Sequence, residues 1–176
     1  MLGTIQELKL IARCVAFDDR DAFGKLVDNY YAPLDRFLYN LTSNDASLTD
    51  DLCQETFLKA WISIRSFKGI SKFKTWLFRI AYNEFISYKR KEENNEDLSS
   101  AVNHVVDDNH SSTEYSIDLQ TAMNSLTEKE KSVVLLFYIE DMPVKKIIEI
   151  TGLPEGTVKV YLSRAREKMK QVLQSK

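Results

Sequence analysis

Apolar residues recur every three or four positions along most of this chain, the spacing that predicts amphipathic α-helices. Two successive stretches each place four apolar residues on one helical face: Phe23, Leu26, Val27 and Tyr30, and then Leu34, Phe37, Leu38 and Leu41. Only 5 glycines and 3 prolines interrupt the 176 residues, too few turn signals for a protein of many strands. The pattern therefore predicts an all-α fold.

Capping residues predict where several helices begin. Asp18 or Asp19 can cap the helix that carries Phe23. Ser47, with Asp50 three residues later, resembles a capping box, and the helix after it has one inward stripe: Cys53, Phe57, Ala60 and Ile64. Since no histidine lies near Cys53 in the sequence to activate it, we expect that thiol to be a small core residue. Residues 72–91 predict a further amphipathic helix.

The last third of the chain predicts a helix-turn-helix. Thr127 and Glu130 form a capping box ahead of the apolar run SVVLLFYI. Asp141 and Pro143 open a short helix that Gly152 breaks, and Pro154 precedes the last helix. Two helices joined by a tight turn with a glycine are typical of a helix-turn-helix. The last helix carries a buried stripe: Val158, Leu162, Ala165, Met169 and Val172.

Charge divides the chain into segments. Residues 59–91 carry 9 Lys and Arg against one acid, Glu84, whereas residues 92–120 carry 8 acids and no Lys or Arg. The acidic stretch has too few large apolar residues to offset the entropy of ordering, so it predicts a flexible linker. We therefore expect two small helical domains, 1–91 and 118–176, joined by an acidic linker at 92–117, with the second domain a helix-turn-helix unit of four helices.

The last helix has the chemistry of a DNA-binding helix. Lys159, Ser163, Arg166 and Lys170 share one face, and its N-terminal N–H groups can meet a phosphate. Lysines near a helix C-terminus are also expected on electrostatic grounds, but Lys159 and Arg164 lie too early for that explanation.

Three motifs in order resemble extracytoplasmic-function (ECF) sigma factors of bacterial RNA polymerase. GTVKVYLSRAREKMK at 156–170 resembles the helix-turn-helix of that family that reads the promoter −35 element. DDLCQETFLKAW at 50–61 resembles its segment that docks on the polymerase clamp, and FKTWLFRIAYNEFISYKRK at 73–91 resembles its promoter-melting segment. The resemblance covers essentially the whole chain. It departs from the family pattern at Pro143, Lys146 and Ile148, and the bulk of Ile148 predicts altered packing between the two short helices.

The resemblance implies a role for each motif. The polymerase clamp would be bound by Asp51, Gln54, Glu55, Phe57 and Trp61. One flipped base of the −10 element would lie among Phe67, Ile80 and Asn83, and backbone phosphates would be held by Lys68, Lys72, Lys74, Arg79, Lys89 and Arg90. The −35 element would be bound by Thr157, Lys159, Ser163, Arg164 and Arg166.

The resemblance further implies core RNA polymerase, promoter DNA and an anti-sigma factor as partners, no enzymatic activity, and no cofactor or metal. It also implies that the linker is stretched along polymerase, so we expect the free protein to be compact or variable. The N-terminus has Glu7 and Lys9 where a signal peptide needs an apolar core, and we expect a cytoplasmic protein without membrane insertion.

Two alternatives remain at this point. A stand-alone helix-turn-helix regulator would need a dimer surface, and no dimerisation heptad is evident. An enzyme would need a metal site assembled from linker residues without a standard ligand spacing: His104, Asp107, Asp108 and His110.

Overall fold

The computed structural model describes residues 3–96 and 121–174, and these residues form helices without any strand. Four long helices occupy the first segment: α1 (Thr4–Phe17), α2 (Arg20–Leu41), α3 (Ala46–Ser63) and α4 (Phe73–Glu96), with a 3-10 turn at Ile64–Ser66 before α4. The second segment begins with helical residues 121–124 and continues with α5 (Glu128–Val134), a π-helical turn (Leu135–Ile139), α6 (Val144–Thr151) and α7 (Glu155–Gln174). The all-α prediction is confirmed. Most of the predicted linker lies outside the described residues.

The first four helices pack in chain order, α1 on α2, α2 on α3 and α3 on α4. Their packed faces are the predicted apolar stripes: Cys53, Phe57, Ala60 and Ile64 of α3 and its 3-10 turn are all buried, and so are Leu34, Phe37, Leu38 and Leu41 of α2. Asp19 caps α2, since its Oδ1 accepts a hydrogen bond from the Ala22 amide at 2.9 Å. Periodicity thus predicted these interior positions correctly.

One local prediction in this segment is wrong. Asp45, not Ser47, caps α3, and its Oδ1 accepts a hydrogen bond from the Leu48 amide at 2.9 Å. The helix begins two residues before the predicted box because a free carboxylate in extended backbone precedes Ala46. The two apolar stretches of residues 23–41 form one helix, which runs through Pro33.

The helix-turn-helix is confirmed in α6 and α7. Gly152 ends α6 with φ of 70°, the left-handed conformation that favours glycine, and α7 begins at Glu155. Asp141 stands outside α6 with φ of 50°, so Pro143 alone occupies the N-cap position. Before α6, Thr127 and Glu130 form both hydrogen bonds of the predicted capping box on α5.

One continuous cluster of buried side chains joins the two described segments. Ile147 and Ile150 of α6 belong to it together with Phe78 and Phe85 of α4, because α6 packs against α4. Ile148 is half-buried against the same cluster. A smaller cluster of Leu126, Val134 and Ala165 fastens α7 to α5. The last helix is therefore held on its apolar side while its other faces meet solvent.

Candidate nucleic-acid and protein interfaces

A groove runs along the surface between α3 and α4, and we call it the α3–α4 groove. It has a volume of about 640 Å3, and its lining includes Asp51, Gln54 and Glu55. All three are exposed because they lie on the face of α3 opposite to its buried stripe. Leu58, one turn later, is 52% exposed and adds an apolar patch to the groove. The exposed acids Asp51 and Glu55 beside this leucine suit a partner with basic and apolar contact residues, and the lining also includes Lys59 and Lys91.

A small ion-pair network organises one wall of this groove. Lys59 Nζ lies 2.5 Å from Glu84 Oε2 of α4 and 3.3 Å from Glu55 Oε1. The hydrogen bond to Glu84 raises the pKa of Lys59. The sequence pattern did not single out Leu58, Lys59 or Glu84, although the spacing of Glu55 and Lys59 is that of an i,i+4 ion pair. The Lys59–Glu55 pair is exposed and has little effect on stability, whereas Glu84 is 15% exposed and orients Lys59 from α4.

Phe57 and Trp61, the two aromatic residues of the predicted clamp site, do not line the α3–α4 groove. Phe57 is only 9% exposed and its ring stacks on Tyr31 with a centroid distance of 6.3 Å. Trp61 is half-buried against Phe23, at a centroid distance of 5.0 Å. Both rings therefore support α3 from its packed side. Asp51, Gln54 and Glu55 form its outward surface.

A second cavity, the loop cavity, lies beside the loop that precedes α4. It has a volume of about 370 Å3 and is lined by loop residues 66–71, by Thr75, Trp76 and Arg79 of α4, and by Glu149 of α6. Phe67 forms part of the wall, with its ring centroid 5.3 Å from that of Trp76 and 5.7 Å from that of Phe73. Gly69 turns the loop with φ of 68°. The cavity thus combines aromatic surface with cationic side chains at its rim.

The structure brings only part of the predicted −10 site to this cavity. Phe67, Lys68 and Arg79 line it, but Ile80 and Asn83 do not. Ile80 is half-buried in the main core, and Asn83 is exposed farther along α4. Trp76, which the helical stripe predicts as a core residue, is half-buried and shares the wall with Phe67.

The predicted phosphate-binding lysines and arginines differ in exposure and in ion pairing. Lys68, Lys72, Arg79 and Arg90 are exposed. Lys89 forms an ion pair with Glu92 at 2.8 Å. Lys74 Nζ lies 2.8 Å from Glu140 Oε2 of the turn before α6, and Arg36 pairs with the same carboxylate, so Lys74 is ion-paired in this conformation.

The exposed side of α7 carries the predicted −35 residues. Lys159, Ser163 and Arg166 lie within a sector of roughly 60° of that helix, given about 100° per residue, and all three are exposed. Arg164 is exposed on the neighbouring face, and Thr157 is half-buried in the first turn. Lys159 Nζ is 2.7 Å from Glu155 Oε1, and this hydrogen bond lowers the pKa of Glu155.

A buried contact fixes α7 on α5. Lys168 Nζ donates to Glu130 Oε2 at 2.8 Å, and the same carboxylate oxygen accepts from the Thr127 amide at 3.0 Å. Burial raises the pKa of Glu130, but the hydrogen bonds from Lys168 and Thr127 outweigh it and hold the pKa below its ordinary value. The sequence predicted the capping box but not its second partner, because no local spacing connects residues 130 and 168.

The candidate metal residues His104, Asp107, Asp108 and His110 lie outside the described residues. Within residues 3–96 and 121–174 no group of three metal-ligating side chains occurs. Among the helices of the same residues, none is long and apolar enough to cross a membrane. Lys146, at a position where the sequence departs from the family pattern, forms an ion pair with Glu149 at 2.8 Å.

Two family descriptions match the chain in order. Residues 26–95 match Sigma-70 region 2, and residues 116–169 match Sigma-70 region 4. The first match contains the α3–α4 groove and all of the loop-cavity lining except Glu149, and the second contains Glu149 and the helix-turn-helix. The α3–α4 groove and the exposed face of α7 therefore each fall within one matched region, whereas the loop cavity draws on both.

Known proteins of the same kind are similar over most of their length. The ECF RNA polymerase sigma factor SigW of Bacillus subtilis is 32% identical over 170 residues, 88% of this chain and 90% of that protein. The ECF RNA polymerase sigma-E factor of Haemophilus influenzae is 32% identical over 172 residues, 89% of each. The solved sigma factor RpoE of Bartonella quintana, in complex with the anti-sigma factor NepR, matches with a TM-score of 0.74 at 28% identity, over 86% of this chain and 96% of that one.

These relatives support the sigma-factor prediction and not the stand-alone regulator. SigW is 32% identical over 88% of this chain, and the two matched regions follow each other in the order of the chain. The chain belongs to the ECF family of RNA polymerase sigma factors.

Proposed function

We propose that this protein directs core RNA polymerase to specific promoters and helps to open their −10 region, without a catalytic step of its own, in the cytoplasm. One observation carries the proposal: the α3–α4 groove, with Asp51, Gln54 and Glu55 along one side, and the basic face of α7 are both exposed and lie on separate elements. A protein with two such surfaces can bind a basic protein and a nucleic acid at the same time. A single DNA-binding surface would suffice for a stand-alone regulator.

The proposed division of labour follows the predicted boundaries. Residues 1–91 would bind the polymerase clamp and the −10 element, residues 92–117 would connect, and residues 118–176 would bind the −35 element. The matches to regions 2 and 4 support this division.

For the clamp, Asp51, Gln54 and Glu55 are proposed to make the direct contacts, with Leu58 as the apolar contact. Their exposure on one side of the α3–α4 groove supports this assignment. Phe57 and Trp61 would act indirectly, because both pack beneath α3. Removal of a charged side chain that is hydrogen-bonded at the centre of a protein interface mainly raises the dissociation rate of the complex.

For the −10 element, the loop cavity is proposed to take one unstacked base. Phe67 and Trp76 offer aromatic surface there, and stacking on such a surface contributes roughly 1–3 kcal/mol per base. Lys68, Lys72, Lys74, Arg79, Lys89 and Arg90 would hold the flanking phosphates. Ile80 and Asn83 would meet the DNA beyond the cavity, since they lie farther along α4.

For the −35 element, Lys159, Ser163 and Arg166 are proposed to face the major groove, with Arg164 and Thr157 at its edge. Their placement on the exposed side of α7 supports this. Arginine can read guanine through two hydrogen bonds, whereas Thr157 near the helix N-terminus suits a phosphate.

An anti-sigma factor is proposed as a further partner. The similar RpoE of Bartonella quintana was solved with the anti-sigma factor NepR, which supports a partner of that class for this chain.

Transcription in vitro with core RNA polymerase tests the proposal, on promoters selected from a library by the wild-type protein. Changing Gln54 and Glu55 to alanine is expected to weaken binding to core polymerase and to reduce initiation at every promoter. Changing Lys159 and Arg166 to alanine is expected to leave polymerase binding intact and to reduce initiation only at promoters that depend on the −35 element.

Two exposed pairs on α2 provide matched controls. Changing Asp21 and Asp28 to alanine removes acidic side chains away from the groove, and changing Arg20 and Lys25 to alanine removes basic ones away from α7. Both controls are expected to initiate as the wild type does. Binding of the free protein to duplex DNA without any initiation by core polymerase would refute the sigma function.

A further inference from the structure

The loop before α4 presents an isoleucine to solvent at the edge of the loop cavity. Ile70 is 87% exposed, the highest value among the exposed large apolar side chains of residues 3–96 and 121–174. It also forms part of the lining of the loop cavity. Exposed aliphatic surface gains free energy when it leaves water, so Ile70 is suited to an apolar contact with whatever enters this cavity.

The loop holds Ile70 in a defined position. At the start of the loop, the Phe67 ring packs against Trp76 of α4 with a centroid distance of 5.3 Å. At its end, the carbonyl oxygen of Lys72 accepts a hydrogen bond from the Trp76 amide at 3.2 Å. Between them, Gly69 turns the chain with φ of 68°, a conformation that glycine adopts readily. Because the loop is fixed at both ends, placing Ile70 in a contact costs less conformational entropy than it would in a free loop.

Basic side chains on both sides distinguish Ile70 from other exposed isoleucines. Lys68 and Lys72 lie two residues before it and two residues after it, and both are exposed. Arg79 lines the same cavity. Ile5 of α1 is 73% exposed but has no Lys or Arg within three residues of it in the sequence. Single exposed apolar residues are common on proteins, but an apolar tip between cations fits DNA, since the cations can hold phosphates while the tip meets the bases.

We propose that Ile70 is a wedge, an apolar side chain that enters between two neighbouring bases of the −10 element and separates them. This inference rests on the proposed function of the loop cavity. Apolar side chains that enter a base step, isoleucine among them, partly unstack it and kink the duplex. Lys68 and Lys72 hold the phosphates beside the opened step. The base released from the stack then meets the aromatic surface of Phe67 and Trp76.

The wedge and the loop cavity act at different stages of opening. Ile70 stabilises the step while it is being unstacked, whereas the cavity stabilises the base after it has left the stack. Pyrimidine–purine steps unstack most easily, so we expect Ile70 to enter at such a step. Loss of the wedge should therefore slow the opening of paired DNA and have little effect on DNA that is already open.

The first test follows promoter opening by the full chain bound to core polymerase. The promoter is one selected by the wild-type protein, and 2-aminopurine in its −10 element becomes more fluorescent when it unstacks. Ile70→Ala is expected to slow this increase by about tenfold, the factor for losing about half of the burial of the removed aliphatic carbons. Ile70→Leu should open the promoter nearly as fast as the wild type. Ile70→Asn, which is polar and of similar size, should be as slow as Ile70→Ala.

Ile5→Ala is the matched control, because it makes the same change at an isoleucine of α1 that is 73% exposed. It is expected to open the promoter at the wild-type rate. Both alanine variants should fold normally, since substitutions of exposed side chains usually have little effect on stability. Equal opening rates of Ile70→Ala and the wild type would overturn the inference. Weaker binding of Ile70→Ala to core polymerase would overturn it too, because Ile70 would then contact protein instead of DNA.

A promoter with a mismatched, unpaired −10 segment separates the wedge from a base contact inside the cavity. Ile70→Ala is expected to initiate there as the wild type does, because the paired step is already open. Phe67→Ala, which removes part of the aromatic surface of the cavity, should remain impaired. An equal defect of Ile70→Ala on paired and mismatched promoters would overturn the wedge and assign Ile70 to the wall of the cavity. Failure of the wild type to initiate at any promoter refutes the proposed function, whereas failure of these comparisons refutes only the wedge.

Discussion

Lys168 reaches across from α7 to donate a hydrogen bond to Glu130, the residue that completes the capping box of α5. The Glu130 side chain is 5% exposed and that of Lys168 is 40% exposed. One carboxylate thus caps the N-terminus of α5 and also fixes the position of α7. The two roles predict different consequences for different substitutions.

Lys168→Met is expected to lower the free energy of unfolding by about 1 kcal/mol, since it removes a charge-assisted hydrogen bond but keeps the capping box. Glu130→Ala is expected to lower the free energy of unfolding further, because it removes both the cap and the Lys168 contact. Urea denaturation checks both. Glu167→Gln, an exposed neighbour of Lys168, is the control and is expected to be neutral. Equal stability of Lys168→Met and Glu167→Gln would contradict the structural role of Lys168.

Lowering the pH is expected to remove the contribution of the ionised Glu130 side chain to the free energy of unfolding. Its pKa is held below the ordinary 4.5, so the folded state releases this proton more readily than the unfolded state. The contribution is therefore fully present above that ordinary value and is lost as pH falls through the pKa of the folded state. Denaturation of wild type and Glu130→Gln from about pH 6 to about pH 3 is expected to give a stability difference that shrinks with acid. A constant difference would show that the charge of Glu130 is not involved.

Asp45→Ala is expected to destabilise the protein by about 1 kcal/mol, because the Asp45 side chain caps the first turn of α3. Ser47→Ala is the matched control, since Ser47 is exposed inside the helix and alanine is the better helix former there. Thermal unfolding of the two variants separates the observed cap from the one that the sequence pattern predicts. A larger loss of stability in Ser47→Ala than in Asp45→Ala would indicate that Ser47 caps α3, as the sequence pattern predicts.

Pro33→Ala is expected to raise the free energy of unfolding by roughly 1–3 kcal/mol. Proline inside α2 costs up to about 3 kcal/mol relative to alanine, because its ring crowds the preceding turn. Half-burial of Pro33 reduces the gain, since the smaller alanine loses some contact. Chemical denaturation measures the change, with the exposed Ala32→Ser as a control in the same turn. A destabilised Pro33→Ala would mean that α2 depends on a bend at this residue.

Both thiols are expected to resist modification in the folded protein. Cys14 and Cys53 are fully buried, and burial, with smaller contributions from Asp35 and Asp50, raises the pKa of Cys53 to about 12. The thiolate, which is the reactive form, is then scarce at neutral pH. A chromogenic disulfide reagent should titrate both thiols only after denaturant is added. Ser47→Cys, at an exposed position, is expected to react at once, and rapid reaction of the native wild type would contradict the buried placement.

Local rules predicted the elements of this fold better than the contacts between them. The interior stripe from Cys53 to Ile64 and the capping box at Thr127 follow from spacing alone, because helical periodicity and caps are set within a few residues. The start of α3 lies two residues before the predicted one because Asp45, in extended backbone, accepts a hydrogen bond from the free Leu48 amide. Residues 23–41 form one helix because the tertiary packing of Leu34 and Phe37 outweighs the local penalty of Pro33.

For the candidate surfaces, the sequence predicted the residues on each helix face but not the ion pairs between helices. The exposed acids of α3 and the basic face of α7 carry a local signal that a helical projection reveals. The pairing of Lys74 with Glu140 joins residues 66 positions apart, and no pattern along the chain encodes it. The same holds for Glu149 at the loop cavity. Long-range ion pairs are decided by how helices pack, so they appear only in the folded structure.

The two sides of α7 differ in how substitutions there affect folding. Val158, Leu162 and Ala165 anchor the helix in the protein, whereas Lys159, Ser163 and Arg166 are exposed. Substitutions at such exposed positions usually change stability by no more than about 0.5 kcal/mol. If this face reads the −35 element as proposed, substitutions there can change promoter preference while the protein still folds.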